Sequence, residues 1–351
     1  MTKAVSAAVF AVPGDLATPT GGYAYDRRMI AELAALGWRT DVVNLGEGFP
    51  RPAAETRAAA CARLAALPPG APIVIDGLAF GVLPEAAQRM QASHSLVALV
   101  HHPLALESGL SADEASRLIA SERATLAAAR HVVTTSGATA RLLAADYGVP
   151  PARLSVIEPG TDRGEARPKA SDPAVALLTV GAVVPRKGYD LLVAALAKLA
   201  QLPWRLAIAG DGGRSPETFR QLKADIARHG LAERIALHGV ISAEQLASLY
   251  AASDLFVLPS RFEGYGMAYA EAIAHGLPVI GTTAGAIPQT VPGGAGILVP
   301  PNDVEALAAA LRRLIEHPHE RERLAAGART ASFPSWKDQA ALFANVLDRL
   351  A

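Results

Sequence analysis

The stretch LFVLPSRFEGYGMAYAE, residues 255–271, shows most directly how this chain is built. Its first four residues form a short apolar run typical of a buried strand, and a helical pattern follows. Gly276 ends the predicted helix, and Pro278 comes just beyond it. Glu263 is therefore expected on the turn from strand to helix, with Glu271 about two turns further along. The stretch predicts one strand–helix unit of an α/β fold.

The predicted turn also has the composition of an anion site. Gly264 and Gly266 allow backbone amides to approach a ligand, and the free amides of a helix N-terminus attract anions. A diphosphate could rest there, with Glu263 bonding sugar hydroxyls on one side and Glu271 ribose hydroxyls on the other. A glycine-rich turn followed by a solvated Glu271 is the equally weighted alternative, so these residues alone do not decide between a binding site and an ordinary turn.

The same alternation of apolar runs and amphipathic segments extends over the whole chain. It restarts after a polar stretch at residues 162–173, and the segments between runs are long enough for parallel crossovers. Two successive doubly wound α/β domains are therefore predicted, and a single Rossmann domain with a long appendage is the alternative. The predicted strands are 5–12, 40–44, 73–76, 95–101, 131–135, 154–157, 176–181, 205–209, 235–238, 255–258, 278–281 and 296–299. The helix after the first of these strands is predicted at residues 25–36.

Length and composition agree with this division. A chain of 351 residues exceeds what one hydrophobic core usually organises. We place the first domain at residues 1–165, completed by a C-terminal helix at 335–351, and the second at 166–334. Ligands of such sheets bind beyond the carboxyl ends of the strands, so the expected site is a cleft between the two domains.

Charge and cysteine content exclude several classes of function. The chain carries 33 basic and 33 acidic residues, which argues against nucleic acid or a strongly anionic membrane as a partner. The single cysteine, Cys61, permits no internal disulfide and predicts a reducing, cytoplasmic location. No apolar stretch is long enough for a transmembrane helix, while a peripheral membrane contact stays open.

A second candidate anion site is the segment Pro185-Arg186-Lys187-Gly188, which follows a predicted strand. Two cations at the start of the predicted helix 189–200 oppose the helix dipole, which is unfavourable unless an anion offsets them. Arg186 as a fork and Lys187 as a compact charge both suit a diphosphate. The alternative is an exposed pair of loop cations.

Two glycine-rich turns and a histidine pair complete the candidate set. The turns contain Gly21 and Gly22 after the first strand, and Gly212 after a later one; neither has the G-x-G-x-x-G spacing of a dinucleotide site. In His101-His102-Pro103, one imidazole should face the site. Zinc binding with Glu107 as a further ligand is disfavoured, because adjacent residues of a strand point in opposite directions. No metal is predicted.

Together, these segments resemble glycosyltransferase family 4, over nearly the whole chain and in the same order. The resemblance implies the GT-B fold, in which two Rossmann-like domains face each other across a cleft, and transfer from a nucleotide sugar with retention of configuration. The segments that carry it are the Gly21-Gly22 loop, the cleft histidine His101, the basic motif Arg186-Lys187-Gly188 and the E-x7-E pair formed by Glu263 and Glu271.

The resemblance implies roles for individual residues. Lys187 would neutralise the departing diphosphate, Glu263 would bond the transferred sugar, and Glu271 the ribose. Val240 falls where the family contacts the base. The implied catalytic residues are Glu263, Lys187 and His101, and the implied donor-binding residues are Gly21, Gly22, Arg186, Gly212, Val240, Gly264, Tyr265, Gly266, Met267 and Glu271.

The resemblance also assigns the domains and the substrates. Residues 1–165 would be the acceptor side and 166–334 would bind the nucleotide sugar, a UDP-sugar by family frequency, as co-substrate with no further cofactor. The acceptor is unidentified: a small soluble molecule, a saccharide or a lipid precursor. A nucleotide-sugar epimerase or phosphorylase on the same fold, or a non-catalytic binding module, is the alternative.

Two positions depart from the family pattern. Ala182 stands where relatives often carry Arg, and Arg186 in the same loop is the candidate to compensate. Gln289 stands where relatives often carry Glu, which puts a role for that position in doubt.

Overall fold

The computed structural model describes residues 6–107, 109–164 and 173–351. The chain divides into two compact units, Met1–Gly160 together with Pro334–Ala351, and Thr161–Phe333. The domain boundary predicted between residues 165 and 166 lies outside the described residues, as does the predicted start of the first strand at Val5.

The first unit contains a six-stranded parallel sheet in the order β2-β1-β3-β4-β5-β6. Its order reverses between the neighbours β1 and β3, and a crevice at such a switch point is where open α/β sheets bind ligands. The strands are β1 (Ala7–Val12), β2 (Arg39–Asn44), β3 (Ile73–Asp76), β4 (Leu96–Val100), β5 (His131–Thr134) and β6 (Leu154–Val156). The helices between them are α1 (Gly21–Ala35), α2 (Ala54–Ala65), α3 (Gly77–Phe80), α4 (Pro84–Met90), α5 (Ala112–Ala128) and α6 (Gly137–Tyr147).

The second unit contains another six-stranded parallel sheet, in the order β12-β11-β10-β7-β8-β9. Here the order reverses between β7 and β10. The strands are β7 (Val175–Val180), β8 (Trp204–Ala209), β9 (Ile235–Gly239), β10 (Leu255–Val257), β11 (Val279–Thr282) and β12 (Gly296–Val299). The helices are α7 (Tyr189–Ala197), α8 (Pro216–Arg228), α9 (Ala243–Ala252), α10 (Met267–Ala274), α11 (Ile287–Thr290), α12 (Val304–Glu316) and α13 (Pro318–Thr330).

The last helix of the chain, α14 (Trp336–Asp348), belongs to the first unit. Its Phe343 packs on Phe10 of β1 with ring centroids 6.0 Å apart, and Trp336 meets Tyr25 of α1 edge to face at 5.8 Å. Burying one such aromatic side chain stabilises a fold by about 1.5–3 kcal/mol, so these contacts attach the helix to the first sheet.

All twelve predicted strands are present, which confirms the prediction of two doubly wound α/β domains. The apolar runs are buried: β4, for example, is buried along its whole length, as expected for a central parallel strand covered on both faces. Among the described residues, no helix combines the length and the apolar character that crossing a bilayer requires.

Candidate functional site

The loops that follow β7 and β10 meet at the switch point of the second sheet. β7 and β10 are hydrogen-bonded neighbours, so the chain segments after them leave the sheet side by side. Lys187 lies on the first of these segments and Glu263 on the second. The sequence separation between them is large, but the parallel pairing brings their side chains together.

Glu263 is the centre of this group. Its Oε1 lies 2.7 Å from Lys187 Nζ and accepts a 2.6 Å hydrogen bond from the Ser260 hydroxyl. Its Oε2 lies 3.2 Å from a guanidinium nitrogen of Arg186. Only 8% of the Glu263 side chain is exposed, and 15% of each cation. The three charged groups therefore interact in a region largely shielded from water.

The charge state of Glu263 follows from these neighbours. Burial alone would raise the pKa of this carboxyl, but the charges of Lys187 and Arg186 and the hydrogen bonds from Lys187 and Ser260 outweigh it and lower the pKa to about 2. Glu263 is therefore ionised at all physiological pH values, and the group carries two positive charges against one negative.

The two loops are also joined through their backbones. Arg261 N–H donates to the Arg186 carbonyl at 2.7 Å, and the Arg261 guanidinium bonds both oxygens of Asp190, at 3.0 and 2.7 Å. Gly188 separates the cations from α7 with φ of 70°, and a Cβ there would lie 2.2 Å from the Pro259 carbonyl oxygen. Only glycine fits this approach, which explains its place directly after Lys187.

The position of the cations differs from the sequence prediction. Arg186 and Lys187 lie in a short 3₁₀ turn, Pro185–Lys187, ahead of α7, which begins at Tyr189. The anion that offsets them is Glu263, a residue of the same unit. The predicted need for an anion is thus met within the chain itself, because the sequence pattern could not show that the two loops converge.

The N-terminus of α10 lies next to this group. Gly266 precedes the helix with φ of 95°, and Met267 is its first residue. Tyr265 is buried, and its carbonyl accepts a hydrogen bond from Thr290 of α11. Tyr269 N–H donates to the Gly266 carbonyl at 2.9 Å, and the positive end of the helix dipole at Met267 suits an anion.

Glu271 lies close to this N-terminus. It is the fifth residue of α10, a little over one turn from the start of the helix at Met267. Its Oε2 accepts a 3.1 Å hydrogen bond from Tyr250, whose ring stacks on His275 at 4.5 Å. Burial raises the pKa of Glu271, and the Tyr250 hydrogen bond opposes that rise.

Gly212 and Val240 follow β8 and β9, on the side of β7 away from β10. Gly212 lies in the turn between β8 and α8, and 58% of the Val240 side chain is exposed. Both residues thus follow strands of the same parallel sheet, at the edge where Lys187 and Glu263 meet.

In the first unit, the predicted glycine loop is the beginning of a helix. Gly21 and Gly22 are the first two residues of α1, and Thr20 caps it by accepting from Tyr23 N–H at 3.2 Å. The sequence prediction began this helix at Tyr25. A Cβ on Gly22 would lie 3.2 Å from His101 Cδ2, so a larger residue there would have to displace the imidazole by a few tenths of an ångström.

His101 and His102 face different groups, although both follow β4, which ends at Val100, rather than lying in the strand. His101 Nε2 lies 3.3 Å from Asp26 Oδ1 of α1 and 3.9 Å from Asp76 Oδ2 at the end of β3. His102 Nε2 lies 2.6 Å from Glu107 Oε1. Within residues 6–107, 109–164 and 173–351, the residues whose ligand atoms converge as a metal ion requires are Asp26, Asp76 and His101, not the set with Glu107.

Three residues of these sites were missed by the sequence analysis. Ser260 gives no signal beyond its closeness to Glu263. Asp76 does give a sequence signal, because it is a carboxylate at the carboxyl end of an apolar strand. Asp26 does as well, since it lies on the same helix stripe as the buried Met29 and Leu33. A charged residue at a core position of an amphipathic helix is the pattern to look for.

Family models match both units of the chain. One described as Glycosyltransferase Family 4 matches residues 79–165, and one described as Glycosyl transferases group 1 matches residues 174–317. The D-inositol 3-phosphate glycosyltransferase of Nocardioides sp. is 33% identical over 261 residues, 67% of this chain and 57% of that protein. D-inositol 3-phosphate glycosyltransferase 1 of Catenulispora acidiphila is 34% identical over 260 residues, 68% of this chain and 61% of that protein. The matches thus span about three fifths of the length of these curated relatives.

Solved structures match over nearly the full length. Sucrose-phosphate synthase of Thermosynechococcus elongatus has a TM-score of 0.79 at 22% identity, covering 97% of this chain and 98% of that one. Anabaena HepE in complex with UDP-glucose has a TM-score of 0.75 at 19% identity, covering 97% and 99%. At these identities the likeness is one of fold. With family models over both units and these relatives, the chain belongs to glycosyltransferase family 4 and has the GT-B fold.

Proposed function

We propose that this chain is a retaining glycosyltransferase that moves a hexose-type sugar from a nucleotide diphosphate sugar, with UDP-sugars favoured, to an acceptor still to be identified. The observation that carries the proposal is the group formed by Lys187, Arg186 and Glu263 beside the N-terminus of α10. Family membership supplies the reaction class, and this group supplies the chemistry.

The charge of the group suits a departing diphosphate. Two cations face one permanently ionised carboxylate, which leaves one positive charge, and the positive N-terminal end of the α10 dipole adds to it. Fixed positive charge stabilises the negative charge that grows on a leaving group as its bond to the sugar breaks. Because Lys187 and Arg186 supply that charge, the proposed reaction needs no divalent metal.

Glu263 is poorly suited to attack the sugar itself. Its carboxylate accepts from Ser260 and contacts two cations, and its pKa of about 2 makes it a weak base. We therefore assign it to binding the transferred sugar and orienting Lys187. Retention then follows from departure of the diphosphate and entry of the acceptor on the same face, through an oxocarbenium-like state.

The remaining donor contacts follow from position. We assign the diphosphate contact to Met267 N–H at the start of α10 and the base contact to Val240, whose side chain is exposed. Glu271 binds the ribose only by releasing or sharing its hydrogen bond from Tyr250. This exchange predicts that donor binding changes the environment of Tyr250.

The acceptor requires a separate search. The curated relatives are named for D-inositol 3-phosphate, so this is the first acceptor to test. Neutral sugars and polyols come next, since the chain carries no net charge.

A donor screen tests the proposal. The protein is incubated with UDP-glucose, UDP-GlcNAc, UDP-galactose, GDP-mannose and ADP-glucose in EDTA, and released nucleotide is followed by mass spectrometry. We expect slow hydrolysis of one donor. Hydrolysis should be at least about 100-fold slower in Lys187→Ala, because removing one preorganised charge from an active site typically lowers kcat by about that factor or more. Lys198→Ala, which breaks the exposed Lys198–Glu305 pair, is the matched control and should retain full activity. If no donor is hydrolysed and none raises the melting temperature, the proposal is wrong.

A further inference from the structure

A second cluster of charged side chains lies at the switch point of the first sheet. Asp26 comes from α1, which follows β1; Asp76 is the last residue of β3; and His101 directly follows β4. Their ligand atoms all lie within 4.8 Å of one another. Asp26 is fully buried and Asp76 is 3% exposed, while 19% of the His101 side chain reaches the surface.

Two carboxylates this close and this deeply buried cannot both stay charged. Each would pay a desolvation cost, and they would repel each other at low dielectric. Burial and the neighbouring charge of Asp26 raise the pKa of Asp76 to about 7, although the charge of His101 and the hydrogen bond from Leu78 N–H oppose the rise. Near neutral pH the Asp76 carboxyl is therefore partly protonated.

The imidazole of His101 lies against the negative charge of these two carboxyl groups. Burial alone would lower the pKa of His101, but the carboxylates of Asp26 and Asp76, 3.3 and 3.9 Å from its Nε2, reverse the effect and raise it. Tyr25 of α1 meets the ring edge to face at 5.4 Å and bonds the Ile157 carbonyl through its hydroxyl. The neighbouring His102 pairs with Glu107 instead.

We propose that Asp26 and Asp76 are positioning residues, two buried carboxylates that hold the His101 imidazole in one orientation and stabilise positive charge on it. Only His101 has surface to offer a ligand, so the two carboxylates act through it. This inference rests on the proposed function for its catalytic consequence: a fixed imidazolium would stabilise negative charge on the bound substrates. The geometry of the pair itself does not depend on that function.

The direct test is the titration of His101 by ¹⁵N-labelled histidine NMR in the full-length protein, with the His101→Gln spectrum assigning the resonance. We expect the wild-type midpoint to lie above that of exposed histidines such as His229, and Asp26→Asn to lower it by about one pH unit or more. Glu107→Gln, which removes the partner of His102, is the matched control and should leave the His101 midpoint in place. A wild-type midpoint at or below that of His229 overturns the proposal without any variant.

A metal ion is the competing occupant of the same three side chains. Protein equilibrated with Zn²⁺, Mn²⁺ or Mg²⁺ is dialysed and its metal content measured. We expect less than stoichiometric metal and the same content in Asp26→Asn. If the protein retains one ion per chain and Asp26→Asn loses it, the three side chains form a metal centre, and the proposal that Asp26 and Asp76 position His101 is overturned.

Activity then separates this inference from the proposed function. With an active donor in hand, Asp26→Asn should move the alkaline limit of kcat to lower pH, while KM for the donor changes less than threefold. An unshifted alkaline limit contradicts the positioning role. If no donor turns over at all, the proposed function fails, and the NMR titration still decides whether the carboxylate pair holds His101.

Discussion

The two units place buried carboxylates at the same topological location but give them opposite charge states. In the second unit, Glu263 has two cations as neighbours and its pKa is lowered to about 2. In the first unit, Asp76 has a second carboxylate and one histidine, and its pKa is raised to about 7. Burial is nearly complete in both cases. The partner, not the burial, decides whether the group holds a charge or a proton.

This difference fits a division of tasks. A carboxylate that is ionised at every accessible pH fixes the cations around it and cannot exchange protons during a reaction. A carboxyl with a pKa of about 7, such as Asp76, can hold or release one. The first unit thus contains a carboxyl that can exchange a proton, and the second a carboxylate of fixed charge.

The largest effect is expected from removing a cation of the second unit. Lys187→Ala leaves Glu263 buried with Arg186 and Ser260 only. We expect a loss of about 3 kcal/mol in the free energy of unfolding, because one partner of a buried ion pair is left without full compensation. Urea unfolding at pH 7 measures it, with an unchanged m-value showing that the transition stays comparable.

The matched control is Lys198→Ala, since Lys198 pairs with Glu305 at the same 2.7 Å but with both side chains exposed. Exposed pairs contribute little, so stability should hardly change. Equal losses in the two variants would contradict the view that burial makes the Lys187 pair important.

A second prediction concerns the acid side of the same group. Because the folded-state pKa of Glu263 lies below the unfolded value, its contribution is present above pH 4.5 and lost as pH falls toward about 2. Glu263→Gln should be less stable than wild type by about 2–3 kcal/mol at pH 7, and this gap should close as pH falls from about 5.5 to 2.5. Urea unfolding across this pH range checks it. A gap independent of pH would mean that the pKa of Glu263 is the same in the folded and unfolded states.

The architecture was predictable from sequence because its signal is local. Each strand is a short apolar run and each crossover is an amphipathic segment. The hydrophobic periodicity and the turn residues between segments were therefore enough to predict all twelve strands. Helix starts were less accurate. α1 begins at Gly21 rather than Tyr25, since Thr20 caps it, and a glycine pair looks like a loop in sequence.

The sites were predictable only in part because their contacts are not local. Glu263 and Lys187 were identified, but their pairing depends on β7 lying beside β10, which the linear pattern does not state. Asp26 and Asp76 converge for the same reason, from α1 and from β3 next to β1. Residues that serve a site through another side chain have no motif of their own.

A third prediction sharpens the comparison with another buried carboxylate of the first unit. Glu122 of α5 accepts from Leu104 N–H at 2.9 Å, and burial raises its pKa to about 8. The folded state therefore binds the extra proton, and this stability is lost as pH rises through about 8. Relative to Glu122→Gln, wild type should lose about 2 kcal/mol between pH 6 and 8. Urea unfolding at both pH values measures it, and a difference that stays constant would contradict the raised pKa.

The smallest effect on stability is expected at the helix start that faces the histidine. In Gly22→Ala the new Cβ would lie 3.2 Å from His101 Cδ2, which forces the imidazole to move. The strain is offset by the helix-stabilising effect of alanine, so the free energy of unfolding should change by less than about 1 kcal/mol. The NMR resonance of His101 should nevertheless shift and its titration midpoint fall, because its contact with Asp26 is lengthened. Gly293→Ala, where a Cβ meets nothing within 4 Å, is the control and should leave the resonance unchanged. If the resonance and the titration midpoint of His101 are unchanged in Gly22→Ala, this prediction is wrong, because the imidazole has kept its contact with Asp26 despite the new Cβ.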